Sequence, residues 1–537
     1  MPGESVEQLR EQLRERGYLT HGIERWFALD PWRSRTFWVE LAIVAAKAAA
    51  VIAAFGALPQ VAVMLSRNHP LTAGETLVMT FLYAAAWFTG AFGFIAMLGL
   101  LMKLRPELAI DTPRALLGIG LAAAAVVATP VAVWWSRFDA PPSLPELGIG
   151  LALTVILYVV STIVVSAALL TFSVYELRRV PAIHSRPRTL PLTIAAAALM
   201  ALLFVPAYLA QEKRAPAAPI QVVTTPSSRH IALVAVDGLT VDIFRSRPGL
   251  AAAFRSITPA RPLVGASTTE RWATVGTGVP TAIHGVRAIE GVQLRGGPHV
   301  IQTLSRDDFV LRDIAESIGL ARRQPLPPTV RRRDYAWEIV AARGIPATSV
   351  NWWTTETGRF GALDSIGQES LFAAAKGDAV ALDDAAVTRF LEAIDKDAPQ
   401  LAAVYLPALD VVLNRLPLDP GARLAASVRA LDGVSAVVAA LRHRGYDVIL
   451  IGLPGDRQSG DAVIASTLPL SAAPTPFDLA PTLLSAIGFP ASDEMPGRSL
   501  VGEGARIPSY GPRNGSTANA KVDEEYYRNL KSLGYIK

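Results

Sequence analysis

The sequence predicts a membrane protein in two parts. An all-α transmembrane bundle of five helices comes first, followed by an α/β domain with a mostly parallel sheet covered by helices on both faces. Three observations predict it. The chain has 537 residues, more than one ordinary domain holds, and 51% are hydrophobic against 18% charged, with the apolar excess concentrated before residue 211. Lys and Arg alternate between rich and poor segments along that half. After residue 230, short β-branched runs alternate with helix-length segments, as in crossover units of a parallel sheet.

Residues 1–36 read as a cytoplasmic segment, in which SVEQLREQLRERG has the mixed charges of an exposed helix. Apolar stretches follow at about 37–65, 77–102, 115–135, 147–172 and 190–210, and each reaches the ~20 residues that span a bilayer. The first follows a long charged segment, so it does not read as a cleavable signal. Arg10, Arg14, Arg16, Arg25, Arg33 and Arg35 precede the first stretch, and only Arg67 lies in the next loop. Lys103, Arg105 and Arg114 follow, then Arg137 alone, then Arg178, Arg179, Arg186 and Arg188. The positive-inside rule therefore places the N-terminus in the cytoplasm, and five crossings of the cytoplasmic (inner) membrane place everything after residue 210 outside, in the periplasm or its equivalent. Glu40 and Lys47 lie near one face of the first stretch. They read either as an interfacial acid with a snorkelling or pairing lysine, or as a functional intramembrane ion.

Residues 211–229, QEKRAPAAPIQVVTTPSSR, are rich in Pro, Ala, Ser and Thr and read as a linker. Residues 230–537 then form the outer domain. Its strands are expected at 230–238, 347–353, 401–406, 448–453 and 463–466, and its helices at 308–318, 335–343, 384–395, 422–443 and 477–487. The chain has no cysteine, which excludes disulfides and thiolate metal sites. Its net charge of +5 comes from arginines that flank apolar runs, which fits a membrane surface and not a nucleic acid.

Five segments resemble the alkaline phosphatase superfamily, especially its type I phosphodiesterase/nucleotide pyrophosphatase branch. IALVAVDGLTVDIF is similar to the opening strand, STTERWATVGTGVPTAIHGV to the nucleophile segment, and YAWEIVAARGIPATSVNWWTTE to a helix–strand segment. LAAVYLPALDVVLN resembles the strand carrying the second metal-site Asp, and TPFDLAPTLLSAIGFPASDEMPGRSL the closing helix and loop. The tail LKSLGYIK is like tails of sulfatase-type relatives. The five occur in the right order over nearly all of 230–537.

The resemblance implies phosphoryl or sulfuryl transfer through a covalent intermediate. A Thr hydroxyl is a poor nucleophile at neutral pH and needs a metal to activate it, and two ions clamp the attacking and leaving oxygens. By resemblance Thr268 stands at the nucleophile, Asp237 and Asp410 at metal ligands, and Asn414 where the family has a His ligand; Asn is a weak ligand for zinc. Read from the residues alone, Thr268 also suits a helix start and Asp237 an Asp-Gly turn. In GYDVILIGLPGDRQSGD (445–461) the family's Asp-His pair is replaced by Leu453 and Pro454, and no histidine follows His443. Asp456 and Asp461 are the available substitutes, holding a harder cation through oxygens, or else an ordinary polar loop. His284 reads as structural.

These losses imply a pseudoenzyme, an envelope binding or regulatory module with no resident cofactor. Its partners would be the bilayer, envelope proteins, or phosphorylated lipids or glycans. The alternative is an active membrane-anchored phosphodiesterase, phosphotransferase or sulfatase-like hydrolase using Thr268 with zinc or another divalent cation.

Overall fold

The computed structural model of the chain describes residues 37–66, 71–104, 118–126, 144–175, 222–302, 311–513 (the last two with short breaks) and 524–536, with a few isolated positions. The chain divides into two compact units. One holds 1–215 with 294–299 and 305–322, and the other holds the rest.

In the first unit the long helices are Phe37–Ser66, Ala73–Leu104 and Leu144–Tyr175. Small residues let them pack closely. Ala45, Ala48, Ala49 and Ile52 are buried between them, and a Cβ on Gly56 would lie 2.6 Å from the Trp87 ring. Large apolar side chains face outward at helical spacing: Leu77, Phe81 and Phe88 on one helix, Leu151, Val155, Val159 and Ile163 on another. A water-soluble bundle would bury such stripes; a bilayer accommodates them. Residues 118–126 are also helical. The fifth expected span, 190–210, and the side chain of Glu40 lie outside the described residues, so the described part bears out an apolar helical region and leaves the count of five open. Lys47 is half-buried.

Among the described residues four helices are long and apolar enough to cross a membrane, and the fourth is Pro420–His443. That helix belongs to the α/β domain. Asp419 caps its N-terminus, Pro420 opens it, and Val434, Val437 and Leu441 are buried in the same core as the sheet.

The second unit is built on a seven-stranded sheet. In chain order the strands are β1 (Ile231–Asp237), β2 (Ser256–Ala260), β3 (Glu290–Leu294), β4 (Val300–Gln302), β5 (Ala321–Pro325), β6 (Ala347–Trp352), β7 (Leu363–Gly367), β8 (Leu401–Leu406), β9 (Asp447–Leu453) and β10 (Ala462–Ser466). The large sheet runs β2-β10-β9-β1-β8-β6-β7, and β3, β4 and β5 form a small second sheet. β9, β1, β8, β6 and β7 are parallel, while β10 runs antiparallel to both β9 and β2. Central β1 is buried along its whole length, which is why it reads as a continuous apolar run with no alternation. All five expected strands agree within a residue at each end. The expected helices are present with shifted ends, the largest shift being Ala379–Asp397 for 384–395; of the expected 308–318, the described residues form Arg312–Ser317.

Candidate functional site

Parallel strands deliver their carboxyl ends to one edge of the sheet, where loops gather functional side chains. β1 ends there in Asp237 and turns at Gly238, whose φ is +81°. A Cβ on Gly238 would come within 2.6 Å of the Asp410 backbone, so glycine is what allows the two strand ends to touch. Asp410 follows β8 in the short turn Ala408–Asp410. Asp383 holds this turn from behind, both its oxygens accepting the Ala408 N–H at 3.2 Å, and burial pushes its carboxyl well up. The next turn, Val411–Arg415, is wound as a π-helix, which brings Asn414 and Arg415 back towards Asp410.

Thr268 is the first residue of the helix Thr268–Thr277. Ser267 caps this helix in a capping box with Glu270, and Gly278, φ +72°, ends it. Thr268 is fully buried, as are Asp237 and Asp410.

These residues meet around two arginines. Arg415 Nε donates to Asp410 Oδ2 at 2.5 Å, and its Nη2 donates to Thr268 Oγ1 at 2.9 Å. Arg271, one turn beyond Thr268 on the same helix face, donates to Thr268 Oγ1 at 3.3 Å and to the Pro454 carbonyl at 2.6 Å. Asn414 Nδ2 donates to Asp410 Oδ1 at 2.7 Å, and the Tyr405 hydroxyl donates to Asp237 Oδ2 at 2.9 Å. Asp237 and Asp410 supply two negative charges, Arg271 and Arg415 two positive ones. Burial raises the Asp237 carboxyl, and Asp410 adds to that; the two arginines and the Tyr405 hydrogen bond oppose it. Burial works against the charge on Arg415, but Tyr535, Asp410 and Asp237 outweigh it.

A hydroxyl oxygen has two lone pairs. Here the Thr268 hydroxyl oxygen accepts from two guanidinium groups. A guanidinium has no acceptor and does not deprotonate, so neither arginine can act as a base.

The donor set does not fit a divalent metal. Zinc in such a site takes at least three side-chain ligands. Both Asp410 oxygens are bonded, one to Arg415 and one to Asn414, which turns its NH2 and not its carbonyl to the carboxylate. β9 pairs Leu453 with Asp237 and continues into Pro454, which offers only its carbonyl, already taken by Arg271. No cluster of three or more His, Asp or Glu suited to a metal occurs among the described residues. Two cationic side chains stand against the acids that would have faced cations.

Of the residues singled out in the sequence, Asp237, Thr268, Asp410 and Asn414 are brought together. Asp461 is exposed at the start of β10, while the assembled acids are fully buried. Asp456 lies outside the described residues. His284 is buried, with Nδ1 accepting the Val286 N–H at 3.1 Å and Nε2 facing Thr274 Oγ1 at 3.0 Å. Because Nδ1 accepts, Nε2 carries the proton. Sequence reading missed Arg271, Arg415, Tyr405 and Tyr535. The available signal was the adjacency of Arg415 to Asn414: a cation beside a lost ligand position.

The sheet order and the carboxylate–hydroxyl cluster at its carboxyl edge fit what the resemblance to the alkaline phosphatase superfamily implies. Residues 231–452 match the family model of type I phosphodiesterase / nucleotide pyrophosphatase. No curated protein matches the chain. Solved structures it is similar to include phosphonoacetate hydrolase from Sinorhizobium meliloti 1021 in complex with phosphonoformate, at 13% identity and TM-score 0.31, covering 44% of this chain and 59% of that one. Human ectonucleotide pyrophosphatase / phosphodiesterase 5 is similar at 16% identity and TM-score 0.29, over 42% of this chain and 56% of that one. A 2-O GAG sulfatase is similar at 11% identity and TM-score 0.33, over 52% of this chain and 75% of its own. The chain thus spans a little over half the length of the first two.

Proposed function

We propose that this is a multi-pass inner-membrane protein whose outward domain is a pseudoenzyme, a phosphodiesterase-type scaffold kept as an envelope binding or regulatory module. One observation carries the reading: Arg271 and Arg415 converge on the Thr268 hydroxyl while Arg415 neutralises Asp410. The arrangement fills the nucleophile's lone pairs and compensates the acids without a metal. Phosphorylated lipids or glycans are the ligand class that such a scaffold would retain.

Metal content and turnover test it. Purified protein should bind zinc far below one ion per chain, and hydrolysis of aryl phosphodiester, phosphomonoester and sulfate-ester substrates should stay at background. Any trace turnover should survive Thr268→Ala, as a contaminant's would. Two tightly bound zinc ions per chain, with turnover abolished by Thr268→Ala and Asp237→Ala, would establish the active-enzyme alternative instead.

The topology rests on the arginine alternation. A reporter fused after Lys537 should be active only outside the cytoplasm, and one at the N-terminus only inside. A cytoplasmic signal from the C-terminal fusion would overturn the assignment.

A further inference from the structure

The helix Glu524–Ser532 ends in a Schellman turn. The Tyr535 N–H returns to the Leu530 carbonyl at 3.0 Å and the Gly534 N–H to the Lys531 carbonyl at 2.9 Å. The turn needs Gly534, whose φ is +73° and whose missing Cβ would sit 3.1 Å from the Cβ of Arg415. Reversing there, the chain lays the Tyr535 ring against the site: the Arg415 guanidinium carbon is 4.3 Å from the ring centroid, and the Trp353 ring meets it edge to face at 5.4 Å. The Tyr535 side chain is buried. Arg415 is therefore capped by a π-face, where a phosphate oxyanion would give stronger, charge-assisted hydrogen bonds.

The tail's attachment is by side chains. Tyr526 donates to Gln368 at 2.8 Å, Tyr527 to Glu290 at 3.0 Å, and Asn529 to the Phe372 carbonyl at 3.0 Å, around the buried Leu530 and Leu533. It adds no strand to the large sheet, so it can leave without breaking a backbone ladder.

We propose that residues 524–536 are an autoinhibitory latch: Tyr535 caps Arg415, and its release opens the Thr268–Arg271–Arg415 cluster to a tetrahedral oxyanion. The latch rests on geometry alone; only the choice of ligand class rests on the pseudoenzyme reading.

Arginine-specific labelling of the full-length protein with phenylglyoxal, read by peptide mass spectrometry, tests it. In the parent, Arg415 should label slowly, as should the fully buried Arg331. Tyr535→Ala should speed labelling of Arg415 by about tenfold or more and leave Arg331 protected, the mark of a local opening. Tyr535→Phe, which keeps the ring, should behave as the parent. Inorganic phosphate should slow Arg415 labelling in Tyr535→Ala. Unchanged Arg415 labelling in Tyr535→Ala, or Arg331 rising in step with it, would show the tail to be ordinary core. Opening without protection by phosphate would overturn the oxyanion part. Zinc content and turnover do not enter this readout, so the latch and the pseudoenzyme reading fail separately.

Discussion

Arg415→Met lowers the unfolding free energy of the C-terminal domain by about 3–5 kcal/mol, and adding Asp410→Asn recovers most of the loss. The guanidinium is the cation bonded to Asp410, at 2.5 Å, and Asp410 is fully buried beside Asp237. Removing it leaves two buried carboxylates facing Arg271 alone, and an uncompensated buried charge is what makes breaking such a pair costly. Asp410→Asn removes the charge and keeps the shape. Urea unfolding of the two single variants and the double variant, followed by near-ultraviolet circular dichroism, gives the coupling. Equal and additive losses would mean that the pair is not a unit.

Lowering the pH from about 6.5 towards 3 destabilises the same domain by an amount on the order of 5 kcal/mol through His284 alone. Burial holds its imidazole down to about 3, and the neighbouring Arg331, Arg287 and Arg332 act in the same direction. In the unfolded chain the ring takes a proton below about 6.5. Between those limits the unfolded state binds the extra proton, so stability is complete above the window and falls as pH drops through it, by about 1.4 kcal/mol per unit. His284→Gln should be less stable at neutral pH, because Thr274 and Val286 lose their partner. It should also lose this part of the acid slope between pH 6.5 and 3. A variant with the parent's slope would clear His284 of the effect.

Much of the sheet was legible in the sequence, for a physical reason. β1, β8 and β9 are buried on both faces, and their runs of Val, Ile, Leu and Ala stand out from polar surroundings. The edge strands were not legible. β2, SITPA, carries a proline and is half-exposed, and β7, LDSIG, mixes polar and apolar residues. Their place is fixed by the neighbour they pair with. The site divides likewise. Asp237, Thr268, Asp410 and Asn414 could be read because each occupies a position in a known pattern, and the losses at Leu453 and Pro454 could be read because an apolar side chain cannot bind a metal. What filled the space could not. Arg271 looks like any helix arginine until the fold lays it beside Pro454, and Tyr535 reaches Arg415 only because the tail returns from more than a hundred residues away.

The charge quartet also bears on descent. A lineage that restored a histidine at 454 would still meet Arg271 bonded to that loop, and one that lost Arg415 would meet two bare acids. Each single step backwards lowers stability before any activity returns. On the pseudoenzyme reading, catalysis exchanged for arginine would be closed to stepwise reversion: the path runs through a valley that only several simultaneous changes could cross.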